Sequence, residues 1–294
     1  MNLRGTFTAL VTPFRVDGSF DEPAFRSLVE AQLEAGIDGL VPCGTTGETP
    51  TLNAEEYARV ISIAVELAGG QVPVIAGTGS NSTRKTIEAT RLARELGADA
   101  ALVVTPYYNK PGPQMLRAHY EAVAADGGLP VVLYNVPGRT GINMAPETTL
   151  ALARVPNVIA IKEACGDLGQ VQAILAGLPS GSPFQVLSGD DNMALGMYAV
   201  GARGLISVAS NVAPRDVASL WNRFAAGDIS AAARENLRLF PLFKALFVEA
   251  NPVPCKVALG LLGRMSDTVR MPLGPAQPAT VELMKRVLTG LELL

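Results

Sequence analysis

The sequence is short of the residues on which most side-chain chemistry is built. It has one histidine, His119, and three scattered cysteines, Cys43, Cys165 and Cys255. A zinc site needs Cys and His ligands at close spacing, and these residues offer none. A Ser-His-Asp triad would rest on His119 alone, which stands in the helical context Arg117-Ala118-His119-Tyr120. Cysteines odd in number and far apart argue against a disulfide framework and fit a reducing cytoplasm. The expectation is a protein that works without metal or bound cofactor.

An excess of one charge is missing as well. Lys and Arg number 24 against 27 Asp and Glu, a net charge of −3 with no basic run, so nucleic acid is not an expected partner. No apolar stretch approaches the roughly 20 residues that a membrane helix needs. The start, Met1-Asn2-Leu3-Arg4-Gly5-Thr6, lacks a charged region followed by a long apolar core, so a cytoplasmic location is expected. Nucleotide loops are absent too. Gly77-Thr78-Gly79-Ser80-Asn81-Ser82 comes closest to Gly-x-Gly-x-x-Gly and lacks the third glycine, and no Gly-Lys-Ser/Thr loop exists.

What is present is a chain of 294 residues, 48% hydrophobic, in which short apolar runs alternate with amphipathic segments. The strand-like runs are 6–11, 39–42, 72–76, 100–104, 130–134, 158–161, 184–187 and 204–208. Helical spacing occupies 22–34, 54–67, 83–96, 114–125 and 191–200. Asp21, Asn53 and Ser82 or Thr83 are suited to start helices, and Gly36, Gly69, Gly97 and Gly201 to stop them. Alternation without hairpin signals means a parallel sheet, and eight units in roughly 220 residues point to an α/β fold, the (β/α)8 TIM barrel, over a doubly wound sheet. Further helical patterns at 214–226, 230–249, 255–262 and 279–293 read as a C-terminal helical extension. The expected division is a barrel over residues 1–225 and the extension over 226–294.

Chemistry on this fold gathers at the carboxyl ends of the strands. Those ends carry Gly44-Thr45-Thr46-Gly47-Glu48, Gly77-Thr78-Gly79, Thr105-Pro106-Tyr107-Tyr108-Asn109, Tyr134-Asn135-Val136-Pro137-Gly138-Arg139-Thr140-Gly141, Lys162-Glu163, Ser188-Gly189-Asp190-Asp191 and Ser207. Each has an ordinary explanation. Thr-Thr-Gly is a polar turn, the tyrosines are rim aromatics or strand formers, Arg139 is a surface cation, Asp190-Asp191 caps a helix, and most lysines are solvated. Their convergence on one face gives the alternative. A lysine without cofactor or metal can condense with a ketone or aldehyde to form a Schiff base, provided its amine is neutral. At the ordinary lysine value of about 10.4, under one part in a thousand is neutral at pH 7. Enclosure in a barrel mouth favours the neutral form. Strand alternation would turn Glu163 away from Lys162. Tyrosine and threonine hydroxyls can then relay protons, a role suited to Thr45, Tyr134 and Tyr108.

In this order and on these strand ends, the motifs resemble the dihydrodipicolinate synthase family, together with Ile161-Lys162-Glu163-Ala164 and Asn251-Pro252-Val253-Pro254-Cys255-Lys256. The resemblance runs end to end. It implies a lyase of the class I Schiff-base type, 4-hydroxy-tetrahydrodipicolinate synthase, condensing pyruvate with L-aspartate 4-semialdehyde in diaminopimelate and lysine synthesis. By the same resemblance Lys162 forms the Schiff base. Tyr134 is the proton donor and acceptor, with Thr45 and Tyr108 completing its relay, the latter borrowed from a neighbouring subunit. Thr46 holds the pyruvate carboxylate, Arg139 grips that of the semialdehyde, and Ile206 offers backbone contact to pyruvate with Gly189 near it. A homotetramer built as a dimer of dimers is implied. N-acetylneuraminate lyase and other pyruvate-dependent aldolases share the fold and the lysine. Arg139 and the Thr45-Thr46 pair favour the synthase, and the intact set of reactive groups disfavours a barrel that only binds a keto acid.

One region departs from the family pattern. Many members are inhibited by lysine, and in the matching stretch Ala54 stands where inhibited members often carry a polar side chain, Lys85 where they often carry an acid. A cation there repels the effector's ammonium by on the order of 1 kcal/mol or more at short range. Lysine feedback is therefore expected to be weak or absent. Initial rates against lysine concentration test this, and half-inhibition at submillimolar lysine would contradict it.

Overall fold

The computed structural model covers Met1–Leu294. Eight parallel strands, β1 (Gly5–Ala9), β2 (Gly39–Val41), β3 (Ile75–Gly77), β4 (Ala100–Val104), β5 (Val131–Asn135), β6 (Val158–Glu163), β7 (Gln185–Ser188) and β8 (Gly204–Ser207), lie in the order β2-β1-β8-β7-β6-β5-β4-β3. A parallel bridge between Leu40 and Val74 joins the two ends, so the sheet closes on itself. The helices between the strands are α1 (Glu22–Glu34), α2 (Ala54–Ala68), α3 (Thr83–Glu95), α4 (Pro113–Asp126), α5 (Pro137–Thr140), α6 (Pro146–Leu152), α7 (Leu168–Gly177) and α8 (Ala194–Ala199). After β8 come α9 (Pro214–Ala225), α10 (Ile229–Ala245), α11 (Val253–Leu261) and α12 (Pro278–Gly290). This is the (β/α)8 barrel with C-terminal helices that the alternation predicts. No helix is long and apolar enough to cross a membrane.

Local chemistry sets the element ends. Asp21 caps α1 by accepting from the Ala24 amide, and Ser82 caps α3 by accepting from that of Lys85. Asn53 closes a capping box on α2: its side chain accepts from the Glu56 amide at 2.9 Å while Glu56 accepts from the Asn53 amide at 3.1 Å. Gly69 ends that helix in the left-handed region at φ 52°, where a side chain is disfavoured. Most strand ends shift by a residue or two from expectation, β1 stopping at Ala9, and two of the shifts have a clear cause. The run at 72–76 forms a strand only from Ile75, because Pro73 has no amide to donate and offers just its carbonyl, to Leu40. In the other direction β6 continues through Lys162 and Glu163, which pair with Tyr134 and Asn135 on one side and Leu187 and Ser188 on the other. Lys162 is thus the penultimate residue of the strand, not the residue beyond it.

Two apolar layers follow from the period of two along each strand. Inside the ring, Phe7, Val41, Ile75, Leu102, Val132, Ala160, Leu187 and Ile206 belong to a compact cluster that also takes in Tyr134. The alternate residues, among them Val103, Leu133, Ile161, Val186 and Leu205, meet the helices in a larger outer core. The bottom of the ring is therefore filled, and only its carboxyl end can open.

Besides apolar packing, a buried ion pair ties the C-terminal helices to the barrel. The Lys256 ammonium, on α11, sits 2.5 Å from a Glu48 carboxylate oxygen, with both side chains withdrawn from solvent. Lys256 also donates to the Thr268 carbonyl at 2.9 Å, and the Arg270 amide donates to the other Glu48 oxygen at 3.0 Å. Arg270 in turn forks onto the Glu56 carboxylate, and the Phe14 ring lies 4.1 Å from both cations. Burial pulls the Lys256 amine down to about 8, against the opposing pull of Glu48. Glu48 itself has a left-handed backbone, φ 52°, unusual for a residue with a side chain. Its partners hold it there. Lys256→Met leaves a carboxylate buried without a cation and should cost about 3–5 kcal/mol. Adding Glu48→Gln should restore more than half of that, and urea unfolding midpoints of the two variants check both statements.

Candidate active site

The register of β5 with β6 builds the centre. Tyr134 pairs with Lys162, so the two side chains leave adjacent strands at the same height. Both positions share the parity of Val132 and Ala160, which face the barrel interior. The Lys162 amine accordingly lies 4.2 Å from the centroid of the Tyr134 ring. Both residues are buried, 5% exposed for Lys162 and 6% for Tyr134.

Glu163, one residue on, faces the other way. Its carboxylate accepts from Asn135 Nδ2 at 2.9 and 3.2 Å, from Gln170 Nε2 at 3.1 Å and from the Cys165 amide at 3.0 Å. Burial pushes its carboxyl above the ordinary range, with these donors pulling against it. The expectation that alternation separates it from Lys162 therefore holds. Space for the lysine stem comes from Gly189, just past β7, where a Cβ would stand 3.0 Å from both Cγ and Cε of Lys162 and 2.8 Å from the Ala164 methyl. The Gly189 amide donates to the Glu163 carbonyl at 2.7 Å, which fixes that close approach. Ile206 is in β8, fully buried in the inner cluster.

Beside this pair opens a cavity of about 850 Å³. Thr45, Tyr107, Tyr134 and Arg139 are on its walls, and so are Ala54 and Lys85 toward the outside. Lys162 lies behind the Tyr134 ring and is not itself a wall residue. Thr45 and Thr46 occupy a tight turn, Thr45–Gly47, directly after β2. Thr45 faces the cavity, whereas Thr46 is buried and accepts a hydrogen bond from Asn251 Nδ2 at 2.9 Å. Arg139 lies in α5, the short helix that follows β5, and its guanidinium reaches the Asn251 carbonyl at 3.4 Å. Tyr108 stands apart. It is 88% exposed, has a left-handed backbone at φ 71°, and lies off the cavity wall. No hydrogen bond joins the hydroxyls of Thr45, Tyr134 and Tyr108 within the single chain.

Other expectations resolve differently. Asp190 caps the turn after β7 by accepting from the Asn192 amide at 2.9 Å. Asp191 does not share in that cap. It is buried and accepts from Ser207 Oγ and from the Val208 and Ala209 amides, pinning the end of β8. His119 is buried on α4 against Thr83 Oγ1 at 2.9 Å, well away from these groups, and burial lowers it to about 4. Sequence reasoning gave no role to Asn251 or Lys256. The available signal was a lysine inside the otherwise apolar helix Val253–Leu261 and the Asn-Pro-Val-Pro break in front of it.

A closed parallel barrel with a buried lysine against a tyrosine at the carboxyl end of its strands is the build of the class I, Schiff-base aldolases. Comparison with known proteins narrows this. The Dihydrodipicolinate synthetase family model matches residues 2–290. A curated relative from Maridesulfovibrio salexigens, named 4-hydroxy-tetrahydrodipicolinate synthase, is 49% identical over 281 residues, 95% of each chain. One of the same name from Thermomicrobium roseum is 51% identical over 98% of this chain and 94% of its own. The crystal structure of dihydrodipicolinate synthase from Thermotoga maritima superposes with a TM-score of 0.98 at 43% identity, covering 100% of both chains. The Acinetobacter baumannii enzyme, crystallised in complex with pyruvate, gives 0.97 at 41% identity over 100% of both. The chain belongs to the dihydrodipicolinate synthetase family.

The packing of Gly189 is directly testable. Gly189→Ala forces the lysine stem to move, so turnover should fall about tenfold to a hundredfold, with a stability loss of about 1–3 kcal/mol. Steady-state kinetics beside a thermal melt separate the two effects. Unchanged turnover would mean that the stem position is unimportant.

Proposed function

We propose that this protein is a 4-hydroxy-tetrahydrodipicolinate synthase, condensing pyruvate with L-aspartate 4-semialdehyde on Lys162. The observation that carries the reading is the Tyr134–Lys162 register, which sets a buried amine 4.2 Å from a tyrosine ring at the open end of the barrel. In the proposed reaction the Lys162 amine adds to the pyruvate ketone and water leaves, giving an imine. Loss of a methyl proton gives the enamine, whose carbon attacks the semialdehyde carbonyl. The amino group of the semialdehyde then displaces Lys162 from the imine carbon and closes the ring. One water is released overall, nothing is oxidised or reduced, and the lysine is regenerated. The steps therefore call for proton transfer and charge placement alone.

The remaining groups take roles that suit their positions. Tyr134, whose ring lies 4.2 Å from the lysine amine, serves as proton donor and acceptor, with Thr45 next in the relay. Tyr108, pointing out of its own subunit, completes the relay in a neighbour, which makes a dimer the active unit and a homotetramer of two such dimers the reading for the assembly. Thr46 receives the pyruvate carboxylate, with the Ile206 backbone and Gly189 bordering that substrate. Arg139, on the cavity wall with an unpaired guanidinium face, receives the carboxylate of the semialdehyde. In this reading residues 1–225 carry the chemistry, residues 226–294 brace it, and the enzyme works in the cytoplasm.

Borohydride reduction with pyruvate should place a stable adduct on Lys162, located by peptide mapping. Tyr134→Phe should keep that adduct and lose about 10²–10⁴-fold in turnover. Supplying aspartate 4-semialdehyde and N-acetylmannosamine in parallel distinguishes this activity from that of a sugar-acid lyase. An adduct elsewhere, or faster use of the sugar, would overturn the assignment.

A further inference from the structure

Thr46 is held by a side chain from the far end of the chain. Asn251, 205 positions away, donates from Nδ2 to Thr46 Oγ1 at 2.9 Å, and both residues are buried, 5% and 3% exposed. Asn251 stands in the break before α11, and the same segment supplies Lys256, whose ammonium grips Glu48 two residues beyond Thr46. The turn Thr45–Gly47 is thus clasped at Thr46 and Glu48 by one short piece of the C-terminal region. The Asn251 carbonyl also meets Arg139 Nη2 at 3.4 Å. Both proposed carboxylate-binding groups therefore touch this one residue.

A hydroxyl has one proton to give and two lone pairs to receive with. Which of these it shows to a ligand depends on its other partner. Asn251 fills a lone pair of Thr46 and leaves the Thr46 O–H free to donate. A carboxylate can use only a donor. Were the amide turned over, Thr46 would spend its proton on Asn251 and show lone pairs to an anion. The amide would also bury two N–H donors without acceptors. In the orientation adopted the one unsatisfied atom is Oδ1, buried and without a partner. That unmet acceptor is a cost with no structural return within the chain.

We propose that Asn251 is a positioning residue for substrate selection: by donating to Thr46 it turns the Thr46 hydroxyl into a dedicated donor for the carboxylate of the keto acid. The inference rests on the reading of Thr46 as the group that meets this carboxylate. Selectivity for an α-keto acid over a neutral ketone then depends on a hydrogen-bond direction set outside the barrel, by a residue that does not itself touch the reacting carbon.

Asn251→Asp has nearly the same shape and can only accept once ionised. It reverses the bond, takes the Thr46 proton, and adds a negative charge behind the carboxylate subsite. The experiment measures borohydride trapping of the full-length protein, at about pH 8 where an ordinary carboxyl is ionised, against increasing pyruvate and against methyl pyruvate. The ester keeps the ketone and masks the charge. For Asn251→Asp the half-saturating pyruvate concentration should rise about tenfold or more, the scale of a lost hydrogen bond to a charged group. That for methyl pyruvate should change less than about twofold. Equal losses on both ketones, or an unchanged pyruvate curve, would overturn the proposal. If Asn251→Asp does not fold, Thr46→Val alone and combined with Asn251→Ala decides it. Asn251→Ala should add nothing to the pyruvate defect of Thr46→Val, and an additive loss would refute the coupling. Absence of trapping in the unmodified protein with either ketone would instead remove the Schiff-base reading on which the proposal stands.

Discussion

Everything at the open end of this barrel depends on the two-residue period of one strand. In β6 the residues Ala160 and Lys162 face inward, Ile161 and Glu163 outward. A parallel strand buried on both faces tolerates few polar residues, yet this one ends with a lysine and a glutamate side by side. They coexist because the pleat sends them to opposite layers. The inward lysine finds an aromatic ring at 4.2 Å, and the outward glutamate finds Asn135, Gln170 and a backbone amide. Had both faced one way they would have formed an ion pair, and the amine would have been spent on its own neighbour. A one-residue slip of register would exchange the two layers entirely. Continuation of β6 to Glu163, hydrogen-bonded on both sides, fixes that register against β5 and β7.

The second constraint comes from the end of the chain. The segment after β2 carries Thr45 and Thr46 and contains no regular structure to hold it beyond two short turns, Thr45–Gly47 and Thr49–Thr51. Loops of this kind are mobile unless their polar groups are engaged. Here the engagement is unusual, because an ion pair with almost no solvent exposure joins the loop to α11. Such a pair is a poor source of net stability, since desolvating two charges offsets most of their attraction. Its effect is positional: Glu48 cannot leave without stranding Lys256, and neither can move without Arg270, which also answers to Glu56 and to the Phe14 ring. The C-terminal helices are thereby coupled to the wall of the cavity.

How far the sequence foretold this differs from element to element, and the reasons are physical. The eight strands and the helices that alternate with them were legible because buried parallel strands and amphipathic helices write different periods into the chain. The helix starts at Asp21, Asn53 and, to within one residue, Ser82 were legible because a cap is a local event, a side chain bonding an amide a few residues on. Strand limits were less so. Pro73 shortens β3 by a rule that concerns its own amide, whereas the extension of β6 over Lys162 depends on partners in two other strands. Lys162, Tyr134, Thr45 and Arg139 could be gathered at one end because the fold sends every strand end there. Asn251 and Asp191 could not be assigned their partners. Each is one polar residue whose meaning lies in a contact, to Thr46 at 205 positions and to Ser207 at 16. Nothing in the local pattern records such distances. Tyr108 differs again: it is exposed and off the cavity wall, so no contact within one chain bears on the relay role that the resemblance implies for it.

The division of labour among the cations follows from the chemistry proposed for the site. Both substrates carry carboxylates, so some group must attract anions, yet the amine that attacks the ketone must offer a lone pair. One residue cannot do both at once. Lys162 is kept clear of every carboxylate of the chain, because Glu163 is turned out and no ion pair includes it. In the proposed reaction attraction falls to Arg139, a cation that cannot lose its proton, placed on the cavity wall by a helix distinct from the lysine's strand. The same proposal leaves the keto acid's own carboxylate to neutral donors, and neutral donors have a direction that point charges lack. A hydroxyl such as Thr46 serves an anion when its proton points to it, and a second donor behind it removes the competing use of that proton within the chain. On the proposed reading of Thr46, the amide of Asn251 from the C-terminal segment therefore joins a site whose other parts lie on the barrel.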